Sequence, residues 1–231
     1  MIYVISDLHG YPHDKFLELL CKAGFGKEDY LFVLGDVVDR NGDGGVETLQ
    51  WLIMQPNAEL ILGNHEAMLL ACSFVFDEIN TETIAAFDAE KMGILTDYLN
   101  NGGGATLKAM RALSREQQED ILGYLRESPV YDIAQAGGKT YLLVHAGLEN
   151  FRPDRKLSEY TPGELIWKSP QIGENYYPQA TVVFGHRPTF TYGEGYRGTT
   201  IRTRTWIAID AGAAYGERPV LLRLDDLREF R

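Results

Sequence analysis

Five short apolar runs in this chain each end in a cluster of residues that can bind metals or phosphate. The runs at 2–5, 31–34, 60–62, 141–144 and 181–184 are followed by Ser6-Asp7-Leu8-His9-Gly10, Gly35-Asp36-Val37-Val38-Asp39-Arg40, Gly63-Asn64-His65-Glu66, His145-Ala146-Gly147 and Gly185-His186-Arg187. Four of the chain's five histidines follow such a run. Because strands that stop at one edge of a sheet deliver their next residues to one place, the pattern predicts a metal site assembled from distant parts of the chain.

The composition indicates a globular protein and argues against several classes of partner. At 231 residues the chain fits one large domain or two small ones. Its net charge of −11 argues against nucleic-acid binding, which favours basic proteins. We find no signal peptide and no apolar run long enough to span a bilayer, so we expect a cytoplasmic protein without a membrane partner, monomeric by default. Cys21 and Cys72 lie in apolar helical contexts and are expected to be reduced core thiols, too few for a zinc site built from thiolates.

The first part of the chain alternates strands and helices. Strands are predicted at 2–6, 30–34 and 58–62, and helices at 12–23, at 45–54 and from about 65. This βαβ pattern implies parallel strands.

The strand signal disappears between about 74 and 128, which we interpret as a helical insertion with helices at 83–99 and 115–126. Later strands are predicted at 130–136, 139–144, 181–184, 206–210 and 219–224. Residues 150–178 lack periodicity and are expected to form a loop that shapes the substrate entrance. We therefore expect one α/β domain over residues 1–231, with strands in two layers, helices outside and the metals at the strand ends.

The residues at the strand ends are suitable ligands for two cations. Asp7 and His9, two residues apart before a glycine, could hold one ion. Asp36 ends the neighbouring strand, and its two oxygens could bridge a pair of ions. Neutral ligands to the second ion could come from three residues, Asn64, His145 and His186. Such mixed nitrogen and oxygen ligands suit manganese, which we expect, or alternatively iron or zinc.

Taken in order, the five motifs resemble those of calcineurin-like metallophosphoesterases, and more narrowly the serine/threonine phosphatases of the phosphoprotein phosphatase family, of bacterial or phage type. They are Asp-x-His-Gly, Gly-Asp-Val-Val-Asp-Arg, Gly-Asn-His-Glu, His-Ala-Gly-Leu and Gly-His-Arg-Pro, between residues 6 and 188. The resemblance implies a sandwich of two mixed β-sheets flanked by helices. It also implies a dinuclear metal site in which a hydroxide held between the metals attacks phosphorus.

The resemblance also implies roles for four residues around that site. Arg40 would bind phosphate oxygens, as would Asn64, which is also a metal ligand in the family. His65 would protonate the leaving group rather than bind metal, and Asp39 would orient its imidazole. Two nearby acids give a less specific signal. Glu66 opens a helix, and we interpret it as an acid that interacts favourably with the helix dipole. Asp210 ends a strand and could either support the site or shape a turn.

The preferred substrate in this interpretation is a phosphoprotein or phosphopeptide, carrying phosphoserine or phosphothreonine, with dual specificity for phosphotyrosine as an option. The segment Asn100–Leu107 resembles one in bacterial and phage members that act on phosphoproteins. The alternative is a symmetrical dinucleoside tetraphosphate hydrolase. A non-enzymatic binding scaffold on the same fold is the third hypothesis.

Two positions depart from the family pattern. Asn41 replaces the usual glycine after Asp-Arg, and asparagine tolerates a left-handed backbone. Ser169 stands where bacterial relatives often have a second phosphate-binding arginine. The missing cation could be replaced by one of four residues, Lys168, Arg152, Arg155 or Arg187.

Overall fold

Ten strands in two five-stranded sheets form the centre of the computed structural model, which describes residues 1–231. The strands are β1 (Ile2–Ile5), β2 (Tyr30–Val33), β3 (Ala58–Leu60), β4 (Tyr131–Ala136), β5 (Lys139–Val144), β6 (Thr181–Phe184), β7 (Ile201–Arg202), β8 (Trp206–Ala208), β9 (Leu221–Arg223) and β10 (Arg228–Phe230). The first sheet has the order β10-β9-β1-β2-β3, and the second has the order β4-β5-β6-β8-β7. Both contain parallel and antiparallel neighbours, as the fold class predicted from the sequence requires.

The two sheets pack face to face, because alternate residues of each strand point to opposite sides. In β1, Val4 contacts the apolar cluster between the sheets, which also contains Phe32 of β2 and Leu143 of β5. Tyr3 and Ile5 point the other way, into a larger cluster beneath the helices. The outer face of the second sheet has its own buried cluster around Trp206. Burial on both faces fixes the strand register and with it the position of the residues after each strand.

Eight α-helices flank the sheets. They are α1 (His13–Ala23), α2 (Val46–Ile53), α3 (Asn64–Ala71), α4 (Thr81–Ala85), α5 (Ala89–Asn100), α6 (Gly104–Met110), α7 (Arg115–Glu127) and α8 (Pro162–Ile166). Local signals explain their ends. Gly24 stops α1 in the left-handed conformation. Ser114 caps α7 through the N–H of Gln117, whose side chain returns the bond.

The region from 74 to 128 is helical, but it is divided more finely than the sequence suggested. The helix predicted at 83–99 is two helices, because the side chain of Asp88 accepts the N–H of Lys91 and starts α5 afresh. Another helix, α6, begins at the last glycine of the Gly-Gly-Gly segment. No helix in the protein combines the length and the apolar character needed to cross a membrane.

Three other details differ from the expectations. Cys21 is exposed rather than part of the core, because it lies on the outward side of α1, whereas Cys72 is buried as expected. The short edge strands β7 and β10 were not predicted. The predicted loop over 150–178 contains the short helix α8, which begins at a proline in its first turn.

Candidate metal centre

Two pairs of parallel strands deliver the predicted site residues to one edge. In the first sheet, β1 ends before Asp7 and its parallel neighbour β2 ends before Asp36. In the second sheet, β5 ends before His145 and its parallel neighbour β6 ends before His186. The two sheets meet here, because Nδ1 of His145 donates to the carbonyl of Leu34 at 2.7 Å. The site therefore lies at the carboxyl ends of strands from both layers.

The first group of potential ligands contains His9, Asp36 and His65, whose donor atoms lie within 4.8 Å of one another. Nε2 of His9 is 3.5 Å from Oδ2 of Asp36. Nδ1 of His9 lies 3.0 Å from the carbonyl of Val38, to which it donates, so that Nε2 is left free for a cation. All three side chains are buried.

The second group contains Asp36, His145 and His186. Oδ1 of Asn64 lies 2.9 Å from both Nε2 of His145 and Nδ1 of His186. Oδ1 of Asp36 is 3.4 Å from Nε2 of His145, whereas its Oδ2 faces His9. Asp36 thus stands between the two groups with one oxygen directed at each, which is the geometry a bridging ligand needs.

Asp7 lies beside the second group, although it is in neither set of closely spaced donor atoms. Both of its oxygens accept the backbone N–H of His186, at 3.0 and 2.9 Å. A Cβ atom on Gly185 would lie 1.9 Å from Oδ2 of Asp7, so only glycine lets β6 approach this carboxylate. Each carboxylate oxygen keeps a further lone pair for a cation.

The backbone of the site is strained. Eight non-glycine residues have a positive φ, and six of them are predicted site residues: Asp7, His9, Asp36, Asp39, Arg40 and His186. Each such residue costs on the order of 1–3 kcal/mol, and such strain concentrates at functional sites. Asn41 is not among them, so its presence in place of glycine requires no left-handed asparagine.

Burial and close neighbours shift the titration of these groups strongly. Burial raises the pKa of Asp7, and Asp210 raises it further. Burial lowers the pKa of His9 to about 3 and that of His186 to about 4. Burial would also raise the pKa of Asp36, but the neighbouring imidazoles of His145 and His9 outweigh it and hold this pKa below its usual range. Buried carboxylates beside two imidazoles that resist protonation, those of His9 and His186, fit a divalent cation of the manganese, iron or zinc type.

His65 is linked to the two other residues with expected catalytic roles. Its Nδ1 lies 2.7 Å from Oδ2 of Asp39, which is fully buried. The guanidinium of Arg40 donates to Nε2 of His65 at 3.2 Å, an arrangement that places the ring proton on Nδ1. Arg40 is otherwise exposed, and it lies against the ring of Tyr215. The three side chains form a continuous chain from the interior to the surface.

Glu66 has a larger structural role than the helix-dipole interpretation gave it. Its buried carboxylate accepts four backbone N–H groups, those of Gly63, Asp36, Val37 and Val38, at 2.8–3.2 Å. It therefore holds the turn that carries Asp36. The one available signal was its place in a motif, because the 30-residue separation from Asp36 is invisible to local patterns. Asp210 is buried as well, and its Oδ1 accepts the N–H of Gly212 in a turn.

The four candidates for the second phosphate-binding residue differ in the contacts that their side chains already make. Arg155 makes two hydrogen bonds to Glu164, and Lys168 lies 3.3 Å from Glu174. Arg187 donates to Thr191 and stacks on Tyr192. Arg152 is exposed. A bound phosphate would have to compete with Glu164 for Arg155 and with Glu174 for Lys168.

A family model described as calcineurin-like phosphoesterase matches residues 1–211. Curated relatives named as symmetrical bis(5'-nucleosyl)-tetraphosphatases include a Chromobacterium violaceum protein, 28% identical over 81% of this chain and 57% of its own length. An Acidovorax relative of the same name is 28% identical over 64% of this chain and 44% of its own length. A third, from Pasteurella multocida, is 23% identical over 99% of this chain and 95% of its own length. The chain thus spans about half the length of the first two relatives.

Solved structures show the same fold at low sequence identity. A crystal structure described as a candidate diadenosine tetraphosphatase has a TM-score of 0.63 at 19% identity and covers 99% of this chain and 90% of that one. A serine/threonine protein phosphatase from Saccharomyces cerevisiae has a TM-score of 0.59 at 18% identity, and the match covers 90% of this chain and 66% of that one.

Proposed function

The chain belongs to the calcineurin-like phosphoesterase family, and from this premise we propose that it is a metal-dependent hydrolase of phosphoric esters or anhydrides. The observation that carries the proposal is the position of Asp36, with one oxygen directed at each of two groups of ligands. A protein that used this fold only as a binding scaffold would have no need for those ligands together with the buried His65–Asp39 pair beside them.

As the first substrate class we propose a dinucleoside tetraphosphate, cleaved symmetrically into two nucleoside diphosphates by addition of one water molecule. Its support is that the curated relatives described above carry this name, including one that the chain covers almost completely. This order reverses the preference drawn from the motifs, in which a phosphoprotein came first.

A phosphoserine or phosphothreonine in a protein is the second candidate, and the His65–Asp39 pair favours it. An alkoxide leaving group is strongly basic and needs a proton as the ester bond breaks, whereas a nucleoside diphosphate is a weak base and needs little help. A buried acid–imidazole pair 2.7 Å apart is therefore of most use for a phosphomonoester.

We assign the predicted site residues to metal binding and to phosphate binding. Six side chains would hold the cations: Asp7, His9, Asp36, Asn64, His145 and His186. When bound, two such ions would lower the pKa of a water molecule toward ~7 and neutralise charge on the phosphate. Arg40 would bind phosphate oxygens, with a further contact from Asn64.

The guanidinium of Arg40 donates a hydrogen bond to Nε2 of His65. A bound phosphate would draw the guanidinium to itself and free that nitrogen to carry a proton toward the leaving oxygen. Burial opposes protonation of His65, but its hydrogen bond to Asp39 and the charge of Asp36 outweigh burial and raise the pKa of His65. Asp39 would also keep Nδ1 protonated and the ring oriented.

The experiment that tests this proposal compares kcat/KM for diadenosine tetraphosphate, a phosphoserine peptide and p-nitrophenyl phosphate with manganese present. We expect hydrolysis that chelator abolishes, with diadenosine tetraphosphate the best substrate and ADP the only nucleotide product. Preference for the phosphopeptide would replace the first substrate class by the second. Absence of hydrolysis of all three with manganese, iron or zinc would contradict the enzymatic proposal and favour the scaffold.

A further inference from the structure

The carboxylate of Asp39 is held from two sides. Its Oδ2 accepts from Nδ1 of His65, as described above. Its Oδ1 accepts two hydroxyl groups, from Tyr98 at 2.6 Å and from Thr106 at 2.7 Å. The backbone N–H of Asp39 donates to the same Thr106 hydroxyl at 2.9 Å. Tyr98 and Thr106 are almost completely buried, so no water competes for these bonds.

Both hydroxyl groups come from one segment, which begins at the end of α5 and continues into α6. Between them lies the glycine-rich run that resembles a segment of phosphoprotein-directed relatives. A Cβ atom on Gly103 would lie 2.5–2.6 Å from the ring of Tyr98, so the chain can close over this ring only with glycine there. The carbonyl of Gly102 accepts the N–H of Arg40 at 3.0 Å. The run therefore packs directly on the Asp39–Arg40 turn.

Two hydroxyl donors on one oxygen restrict rotation of the Asp39 carboxylate. A buried carboxylate needs hydrogen-bond donors to remain ionised, and short bonds to an ionised group are about twice as strong as neutral ones. Burial, followed by the charge of Asp39, raises the pKa of Tyr98 far above its usual value, so its hydroxyl stays a donor. If either donor is removed, the carboxylate can turn away from His65.

We propose that Tyr98 and Thr106 are positioning residues, which act through Asp39 to hold the His65 imidazole in the orientation that protonates the leaving group. Neither residue contacts a predicted metal ligand through these bonds. The inference rests on the proposed phosphoric ester hydrolysis and deepens it, because it gives the 98–106 segment a role in the chemistry rather than in substrate choice.

The test uses two substrates that differ mainly in leaving group, p-nitrophenyl phosphate and phenyl phosphate, with manganese-loaded protein. Loss of general-acid function slows a substrate with a basic leaving group far more than one with a good leaving group. In Tyr98→Phe and Thr106→Val we expect kcat for phenyl phosphate to fall by about 10-fold and kcat for p-nitrophenyl phosphate by less than about 2-fold. KM and metal content stay constant, and Thr106→Ser restores the wild-type ratio of the two rates.

Tyr124→Phe is the matched control, since Tyr124 also lies in the helical region and its buried hydroxyl makes no hydrogen bond to Asp39, Thr106 or His65. It should not change the ratio. An equal loss on both substrates in Tyr98→Phe, or no loss on either, would overturn the inference while leaving the proposed hydrolysis intact.

A spectroscopic measurement separates this inference from the proposed activity. In zinc-loaded protein, the Nδ1 proton shared by His65 and Asp39 should give a downfield NMR resonance that His65→Asn removes. We expect this resonance to shift or broaden in Tyr98→Phe and Thr106→Val but not in Thr106→Ser or Tyr124→Phe. An unchanged resonance in both hydroxyl-removing variants would overturn the positioning role. If wild-type protein hydrolyses neither aryl phosphate, this resonance still tests whether Tyr98 and Thr106 hold the His65 imidazole, and the proposed hydrolysis is judged separately with diadenosine tetraphosphate.

Discussion

The backbone N–H of His186 donates to both carboxylate oxygens of Asp7, although 179 residues separate them in the chain. Asp7 follows a strand of the first sheet and His186 follows a strand of the second. The candidate metal centre is therefore also a junction between the two layers. Metal binding and the packing of the sheets should depend on each other, since ions bound only by the folded protein stabilise it.

Replacement of Asp36 by asparagine should affect both ions at once. The variant loses the charge that stands between the two groups of ligands, so we expect less bound metal per chain and a loss of at least about 100-fold in kcat/KM. Elemental analysis after dialysis, together with turnover of p-nitrophenyl phosphate, measures both. Asp120→Asn, on an exposed face of α7, is the control. Full metal content and full activity in Asp36→Asn would show that this residue is not a bridging ligand.

Replacement of His65 by asparagine should separate chemistry from metal binding. If His65 is the general acid, metal content stays unchanged and turnover of phenyl phosphate slows by roughly 10²–10⁴-fold. The loss should be smaller for p-nitrophenyl phosphate, whose leaving group needs little protonation. Because His65 also lies within reach of His9 and Asp36, a drop in bound metal would instead assign it to the ligands.

The Glu66→Gln substitution should destabilise the folded protein, although Glu66 has no expected contact with the substrate. An amide in place of the carboxylate presents an NH₂ group to two of the four backbone donors that Glu66 now accepts. We expect the free energy of unfolding to fall by about 2–4 kcal/mol, as judged by urea denaturation with chelator present. Glu119→Gln, at an exposed position of α7, should change it by less than about 0.5 kcal/mol. Equal stability of the two variants would contradict the structural role given to Glu66.

The stability of metal-free protein should depend on the ionisation of Asp210. Burial raises the pKa of Asp210 to about 7, and Asp36 adds to the shift. In the unfolded chain this pKa returns to about 3.9. Between about pH 4 and pH 7 the folded protein holds a proton that the unfolded chain has released, so the free energy of unfolding falls as pH rises.

Asp210→Asn removes that titration, so its free energy of unfolding should rise relative to wild type across the same pH range. Urea denaturation at a series of pH values, with chelator, measures the difference. A difference that stays constant from pH 4 to pH 7 would mean that Asp210 is not protonated in the folded, metal-free state.

The sheet architecture and the clustering of the motifs at one edge of the sheets could be predicted from the sequence for one reason. Each motif directly follows a buried strand, and neighbouring strands place their ends together. The contact between Asp39 and His65 could be predicted because the family resemblance assigns the two motifs that contain them to one acid–imidazole pair. The roles that these residues would play in metal binding and catalysis remain predictions.

What could not be predicted depends on contacts between distant residues. The hydroxyls of Tyr98 and Thr106 reach Asp39 across 59 and 67 residues, and no local periodicity encodes this. Edge strands of two or three residues, such as β7 and β10, are too short to show an alternating pattern. The break before α5 depends on the single cap made by Asp88, inside a stretch whose composition favours helix throughout.

The most direct test of the central claim counts divalent ions in the purified protein and relates them to hydrolysis. Protein stripped by chelator, titrated with manganese and dialysed should bind about two ions per chain, and hydrolysis of phosphoric esters should return as they bind. Binding of fewer than one ion per chain with manganese, iron or zinc, or hydrolysis that persists in the stripped protein, would contradict the account.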